Sequence, residues 1–141
     1  MQERSTKELE KELSACDEIS DFLAQNQEHM QESSVSEQLR YYMEKRALSR
    51  SDVIAHSGLN DIYPHQILSG KRRPSRDKLL CLCFGLKLTA EEVQDLLRNC
   101  GYAVLYAKNR RDSIILFALY KELSLLKLNE KLYEEGEALL N

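Results

Sequence analysis

The scarcity of chain-breaking residues most restricts what this chain can fold into: its 141 residues include only five glycines and two prolines. Tight β-turns depend on these two residue types, so the chain can form few hairpins. A composition of 43% hydrophobic and 30% charged residues is typical of a packed, mostly helical protein and excludes a disordered one. The length matches one ordinary domain and excludes a multi-domain enzyme.

Localisation and redox state are indicated by features that the sequence lacks. No apolar run approaches the roughly 18 residues of a membrane span, and the opening MQERSTKELEKEL has no signal-peptide stretch. We therefore expect a cytoplasmic protein with no membrane partner. The four cysteines form no C-x-x-C pair and have no histidine at ligand spacing, so we predict no metal site. We expect them to be small apolar side chains in a reducing compartment.

Charge is distributed unevenly along the chain, although the net charge is only −3. Residues 1–33 carry three basic and nine acidic side chains, residues 34–88 carry ten and five, and residues 89–141 carry seven and nine. The middle segment is therefore the basic one, and this asymmetry is more informative than the sum.

The acidic leading segment, residues 1–33, is predicted to be one amphipathic helix followed by a polar linker. Apolar residues recur at steps of three and four from Thr6 to about His29, with Ser5 as the expected cap. Its apolar stripe fits two partners equally well: the protein's own core or a second copy of the chain.

Residues 34–101 are predicted to form five short helices. The expected N-terminal caps are serine, threonine or asparagine side chains, and glycines that tolerate a left-handed conformation end three of the helices. The caps are Ser36, Ser49, Asn60, Ser75 and Thr89, and the glycines are Gly58, Gly70 and Gly101.

Residues 102–141 are predicted to form a C-terminal helical extension. A loop anchored by Tyr102, Leu105 and Tyr106 leads into two helices, the first with a broad apolar face that includes Phe117. No period-2 strand pattern is present, so the predicted fold class is all-α.

The segment Leu48–Ser75 contains the pattern that carries function. A short helix, a turn at a glycine, a second short helix and a cationic loop form the geometry that places one helix across a phosphate backbone and the next in the major groove. Positive side chains lie before and after the second of these helices: Arg50, Lys71, Arg72, Arg73, Arg76 and Lys78.

These residues resemble the Xre/Cro-type helix-turn-helix regulators, which have the lambda-repressor-like fold. The resemblance covers residues 36–88, with a glycine at the turn, a second glycine twelve residues later and the loop Gly-Lys-Arg-Arg-Pro-Ser after it. It implies a five-helix DNA-binding domain over residues 34–101 and a transcriptional regulator, most often a repressor, that binds double-stranded DNA.

The resemblance also implies which residues face DNA. Gln66 would contact adenine, Arg50 guanine or phosphate, and Asn60 phosphate. Ile62 and Tyr63 would touch a thymine methyl group. Asp61 would repel phosphate unless it accepts from a cytosine amino group, and four loop cations would bind phosphates. Those cations are Lys71, Arg72, Arg73 and Arg76.

Two residues depart from the family pattern and leave a second interpretation open. Leu68 stands where the family usually has glutamate, and Pro64 stands inside the second of these helices, where it forfeits one N–H and delays the helix start. These departures favour an alternative: a non-catalytic protein-interaction module that uses the helix-turn-helix as a scaffold.

Catalysis has little support in the sequence, so we expect no enzyme activity and no cofactor. The histidines His29, His56 and His65 lie on separate predicted elements. None has a cysteine or serine at a spacing that would pair them as base and nucleophile. One helix-turn-helix makes few contacts, so we expect a homodimer on paired half-sites. Residues 110–135 are the first candidate interface and the leading helix is the second, and a regulatory protein partner is a further expectation.

Overall fold

The computed structural model describes residues 6–27, 34–60 and 62–141, and within these ranges every regular element is an α-helix. The all-α prediction is therefore confirmed for the described residues. In chain order the helices are α1 Thr6–Ala15, α2 Ile19–Gln25, α3 Val35–Lys45, α4 Arg50–Ser57, α5 Ile62–Leu68, α6 Arg76–Gly85, α7 Ala90–Asn99, α8 Arg110–Tyr120 and α9 Leu125–Glu134. None of these helices is long and apolar enough to cross a membrane.

The leading segment contains two helices, so the prediction of one continuous helix is wrong. The chain leaves α1 after Ala15 and re-enters a helix at Ile19, with Glu18 extended at φ −126° and ψ 126°. The side chain of Asn26 donates to Glu12 Oε1 at 3.1 Å, so the two helices fold back on each other. Periodicity alone missed the break because the apolar spacing continues across it.

Helix α3 begins earlier than predicted, because Ser34 rather than Ser36 occupies the N-cap position. Ser36 is buried inside the helix and its hydroxyl is 2.9 Å from that of Ser34. The earlier start places Val35 in the hydrophobic core. Either serine could cap the helix by its chemistry. The helix starts after Ser34 because this start buries the side chain of Val35.

Most of the other predicted helix boundaries are confirmed. The side chains of Ser49, Ser75 and Thr89 each accept a hydrogen bond from the backbone N–H three residues on. Gly58 and Gly101 adopt positive φ angles of 70° and 78° where α4 and α7 end. The predicted cap of α5 was Asn60, but the helix begins only at Ile62, and Asp61 lies outside the described residues.

Three helix ends use a left-handed residue that is not glycine. Ala47, Lys87 and Glu122 have φ angles of 53°, 56° and 54°. In each case the following residue is a leucine whose N–H bonds to a carbonyl five residues back, and a Ser or Thr cap of the next helix follows directly. The same C-terminal capping motif thus connects α3, α6 and α8 to the helix that follows each of them.

Helix α6 forms the centre of the hydrophobic core, with every residue from Leu79 to Gly85 buried. Its thiols, Cys81 and Cys83, are free and fully buried, which confirms the expectation of apolar packing for these two and for the buried Cys100, whereas Cys16 is only half-buried. Helix α6 packs most extensively against α4. A Cβ atom added at Gly85 would lie 2.5 Å from the carbonyl oxygen of Val53, so only glycine permits this approach of the two backbones.

The two C-terminal helices share this core. Ile115, Leu128 and Leu132 are fully buried in the same cluster as the residues of α6. Two predicted apolar positions are nevertheless exposed: Tyr106, expected to anchor the loop, is 59% exposed, and Phe117 is 47% exposed. Both predictions are wrong because the core is already filled by their buried neighbours on α8 and in the loop.

The contact at Gly85 predicts that alanine, which normally stabilises a helix relative to glycine, destabilises the protein at this position. Gly85→Ala would gain about 1 kcal/mol from propensity in a free helix, but here we expect a loss of about 1–3 kcal/mol because overpacking must separate α6 from α4. Urea unfolding followed by circular dichroism measures the sign. Gly136→Ala meets no atom within 4 Å but has a φ of 72°, so its loss of about 1–2 kcal/mol measures left-handed strain without overpacking. Stabilisation by Gly85→Ala would contradict the close approach.

Candidate nucleic-acid interface

The connection between α4 and α5 is fixed by local hydrogen bonds. Ser49 and Asp52 form a reciprocal capping box at the start of α4, with both backbone-to-side-chain distances at 3.1 Å. The Ser49 hydroxyl and backbone N–H both donate to Asp52 and thereby lower the pKa of its carboxyl group. At the far end, the buried hydroxyl of Ser57 donates to Ile54 O at 2.8 Å and accepts from the N–H of Leu59.

Helix α5 presents a buried face and an open face. Pro64, Ile67 and Leu68 are buried, whereas Ile62 is 74% exposed. Because α5 begins at Ile62, Pro64 is its third residue, where a helix needs no N–H donor. The two departures from the family pattern, Pro64 and Leu68, thus both belong to the packed side of the helix.

The open side of α5 brings together five of the residues predicted to face DNA. Asn60, Ile62, Tyr63, Gln66 and Arg72 line one shallow depression of about 550 Å³. They come from the turn before α5, the helix itself and the loop after it. Asp61, also predicted to face DNA, lies outside the described residues.

Arg72 lies over the ring of Tyr63. Its guanidinium carbon is 4.5 Å from the ring centroid, and its Nη1 donates to Gln66 Oε1 at 3.3 Å. The ammonium group of Lys78 lies 5.4 Å from the same ring. Lys71, the loop residue before Arg72, is exposed. One aromatic ring thus gathers two cations beside α5.

Arg50, the first residue of α4, also reaches this surface. It is exposed, and its Nη1 is 3.4 Å from Nδ1 of His65 on α5. His65 was not named as a site residue from the sequence, and Lys78 was named there only as a flanking cation. His65 is exposed on α5 and Lys78 is half-exposed on α6. A helical wheel of each helix places these residues on the outward face.

Two of the predicted phosphate-binding arginines form hydrogen bonds to other parts of the protein. Arg73 donates to the carbonyl of Cys100 at 2.7 Å and stacks on Tyr102 at 4.3 Å. Arg76 donates to two loop carbonyls, of Ala103 and Val104, at 2.9 and 3.1 Å. These side chains hold the loop after α7 against the start of α6.

Asp112 completes the attachment of this loop. Its carboxylate accepts from both terminal nitrogens of Arg76, at 3.1 and 2.9 Å, and from the N–H of Tyr106. Burial opposes ionisation of Asp112, but the hydrogen bonds from Arg76 and Tyr106 outweigh it and lower the pKa of the carboxyl group. Arg76 is therefore a structural residue of the fold and is not part of the exposed basic surface.

The buried thiols of α6 are not ionised nucleophiles. Burial raises the pKa of Cys81 to about 11 and also raises the pKa of Cys83, so both stay protonated near neutral pH. Among residues 6–27, 34–60 and 62–141, no group of three or more histidine, cysteine or acidic side chains could hold a metal ion. His29 lies outside these ranges.

A larger cavity of about 820 Å³ lies between the connections that follow α6 and α8. Its lining includes buried apolar side chains such as Phe84 and Leu119, while Lys87, Glu91 and Glu122 contribute both charge signs. The mixed charges favour neither an anionic nor a cationic ligand. The depression beside α5 therefore remains the site with a defined chemistry.

Comparison of the chain with models of protein families, with curated proteins and with solved structures finds no match. The functional argument accordingly depends on the residues and the geometry described above.

The pair of Arg76 and Asp112 predicts an acid-sensitive stability. Because the folded pKa of Asp112 lies below its ordinary value of 3.8, the pair stabilises the fold above that value, and the effect is lost as pH falls through the folded pKa. Asp112→Asn should cost about 1.5–3 kcal/mol at pH 7, as expected for charged hydrogen bonds. This cost should shrink in urea unfolding as the pH is lowered from 3.8 through the folded pKa.

The control for this measurement is Asp95→Asn, which removes a surface pair with Arg98 at 3.2 Å. It should cost less than about 1 kcal/mol, because exposed pairs contribute little. An equal cost for the two variants, or a cost for Asp112→Asn that does not change with pH, would contradict the role given to the carboxylate.

Proposed function

We propose that this protein is a transcriptional regulator, acting as a repressor, that binds duplex DNA with α5 in the major groove. The observation that carries the proposal is the depression beside α5. Residues named from the family resemblance line it together, although they come from a turn, a helix and a loop. We propose that α4, the turn and α5 are the helix-turn-helix of the Xre/Cro-type fold.

The dimensions of α5 suit this use. Seven residues give a helix about 10 Å long, and the major groove is about 12 Å wide. Its exposed face begins at Ile62, while Ile67 and Leu68 anchor the opposite face in the core. A short helix that is fixed from behind can enter the groove without losing its packing.

The charges around α5 support contact with phosphates. Arg50 lies beside His65 of α5, and Arg72 and Lys78 lie over the ring of Tyr63, so positive side chains adjoin the exposed helix face at two places. Cations arranged in this way neutralise the two phosphate strands that border a groove. The net charge of −3 does not oppose this, because the acidic excess lies in other segments.

We further propose that the protein acts without catalysis or a cofactor and binds DNA as a homodimer. Exposed apolar side chains on α8 and α9 favour these helices as the interface. Phe117 and Tyr120 lie on α8, and Leu126 and Tyr133, which are 70% and 78% exposed, lie on α9. Positions 126 and 133 are two turns apart and share one face of the helix.

Binding to a random-sequence duplex, measured by fluorescence anisotropy at several salt concentrations, tests the proposal. We expect micromolar affinity that falls steeply with salt, because each neutralised phosphate contributes about −0.9 to the log–log slope. Lys71→Ala should weaken binding to every sequence and reduce the slope by about 1. Lys131→Ala, on α9, is the matched control and should change neither quantity.

No binding at low salt would overturn the DNA proposal. That result would favour the alternative function, a protein-interaction module in which the exposed apolar side chains of α8 and α9 contact another protein.

The mass in solution tests the dimer. We expect twice the 16.4 kDa of the chain by light scattering. Leu126→Glu combined with Tyr133→Glu should halve this mass, because charged side chains on an apolar interface oppose association. Leu23→Glu, on α2 at a position 45% exposed, is the matched control. If only Leu23→Glu gives the monomer, the leading segment forms the interface.

A further inference from the structure

We propose that Arg72 reads a guanine base and that Gln66 and Tyr63 are the positioning residues that fix its guanidinium plane. This inference rests on the proposed function, and it changes the roles that the family resemblance implies. There Arg72 would bind phosphate and Gln66 would read adenine. The geometry beside α5 favours a different division between the two side chains.

The backbone of Arg72 is held in place by hydrogen bonds to α5. The chain leaves α5 through Gly70, whose φ is 83°, and the N–H groups of Lys71 and Arg72 both donate to the carbonyl of Gln66, at 2.9 and 3.2 Å. The loop therefore returns directly over the last turn of the helix. Its path fixes where the side chain of Arg72 starts relative to α5.

Two contacts then fix the guanidinium group. It lies 4.5 Å from the centroid of the Tyr63 ring, and its Nη1 donates to Gln66 Oε1 at 3.3 Å. A guanidinium group has five N–H donors, and no other hydrogen bond from this one is formed within the described part of the chain. Arg72 also lines the depression beside α5.

This arrangement suits a base better than a phosphate. A phosphate contact needs only a nearby positive charge, which a mobile lysine supplies as well as an arginine. Bidentate donation to O6 and N7 of guanine needs a planar fork held at a set angle in the major groove. Arg72, although exposed like Lys71, has such a fork and contacts Tyr63 and Gln66 of α5 with it, whereas Lys71 carries a point charge.

Gln66 has a different task in this account. Its side-chain oxygen already accepts from Arg72, so the amide orients the guanidinium group instead of presenting its own donor and acceptor to adenine. Tyr63 supplies the flat surface for stacking, which its ring provides without the hydroxyl group. Both side chains therefore act through Arg72.

Selection of binding sites from a randomised duplex library, with the full-length protein, tests the inference. The wild-type protein should select a guanine at one position of each half-site, by roughly 5- to 150-fold over the other bases. Arg72→Lys keeps the charge and removes the fork. It should abolish this preference while the affinity for random-sequence duplex and its salt slope stay within about twofold of the wild type.

Four further variants separate positioning from charge. Tyr63→Phe should keep the guanine preference, whereas Tyr63→Leu and Gln66→Ala should weaken it at the same position. Lys71→Ala should keep the preference and lower the affinity for every sequence alike. Circular dichroism of each variant verifies that the helices are intact.

The outcomes distinguish a failure of this inference about Arg72 from a failure of the proposed DNA-binding function. If the wild-type protein binds no duplex at low salt, the proposed function fails and the inference fails with it. If the wild-type protein selects a site and Arg72→Lys selects the same site with the same guanine preference, regulation through DNA stands and Arg72 is a phosphate contact. Loss of an adenine preference in Gln66→Ala, with guanine unchanged, would also overturn the inference.

Discussion

The close contact between α4 and α6 is the constraint on which the rest of the structure depends. At Gly85 the two backbones approach so closely that a single methyl group would meet the carbonyl of Val53. The same contact lies beside the buried hydroxyl of Ser57, which shapes the turn into α5. The direction of α5, and with it the exposed basic surface, is therefore set by how the central helix packs behind α4.

The cations of residues 71–76 fall into two structural groups that the sequence does not separate. Lys71 and Arg72 lie with the exposed face of α5, while Arg73 and Arg76 fasten the loop after α7 to the core through carbonyl groups and Asp112. Arg73 and Arg76 thus form hydrogen bonds to the loop that leads to the C-terminal helices, whereas Lys71 and Arg72 are exposed beside α5.

Much of the fold could be predicted from local chemistry, because caps and glycine stops act over three or four residues. The cap at Ser49 and the stop at Gly58 are of this kind. The corners at Lys87 and Glu122 could not be predicted, since tertiary packing imposes a left-handed conformation on residues that seldom adopt it. The site residues on α5 follow from motif spacing, but the engagement of Arg76 depends on a partner 36 residues away.

Mapping the surface that changes when duplex DNA is added tests the central claim most directly. Amide chemical shifts of the ¹⁵N-labelled full-length protein would be compared with and without a random-sequence duplex at low salt. The account predicts shifts concentrated at Arg50, along Ile62–Leu68 and at Lys71 and Arg72. Shifts confined to the exposed faces of α8 and α9, or no shifts at all, would contradict it.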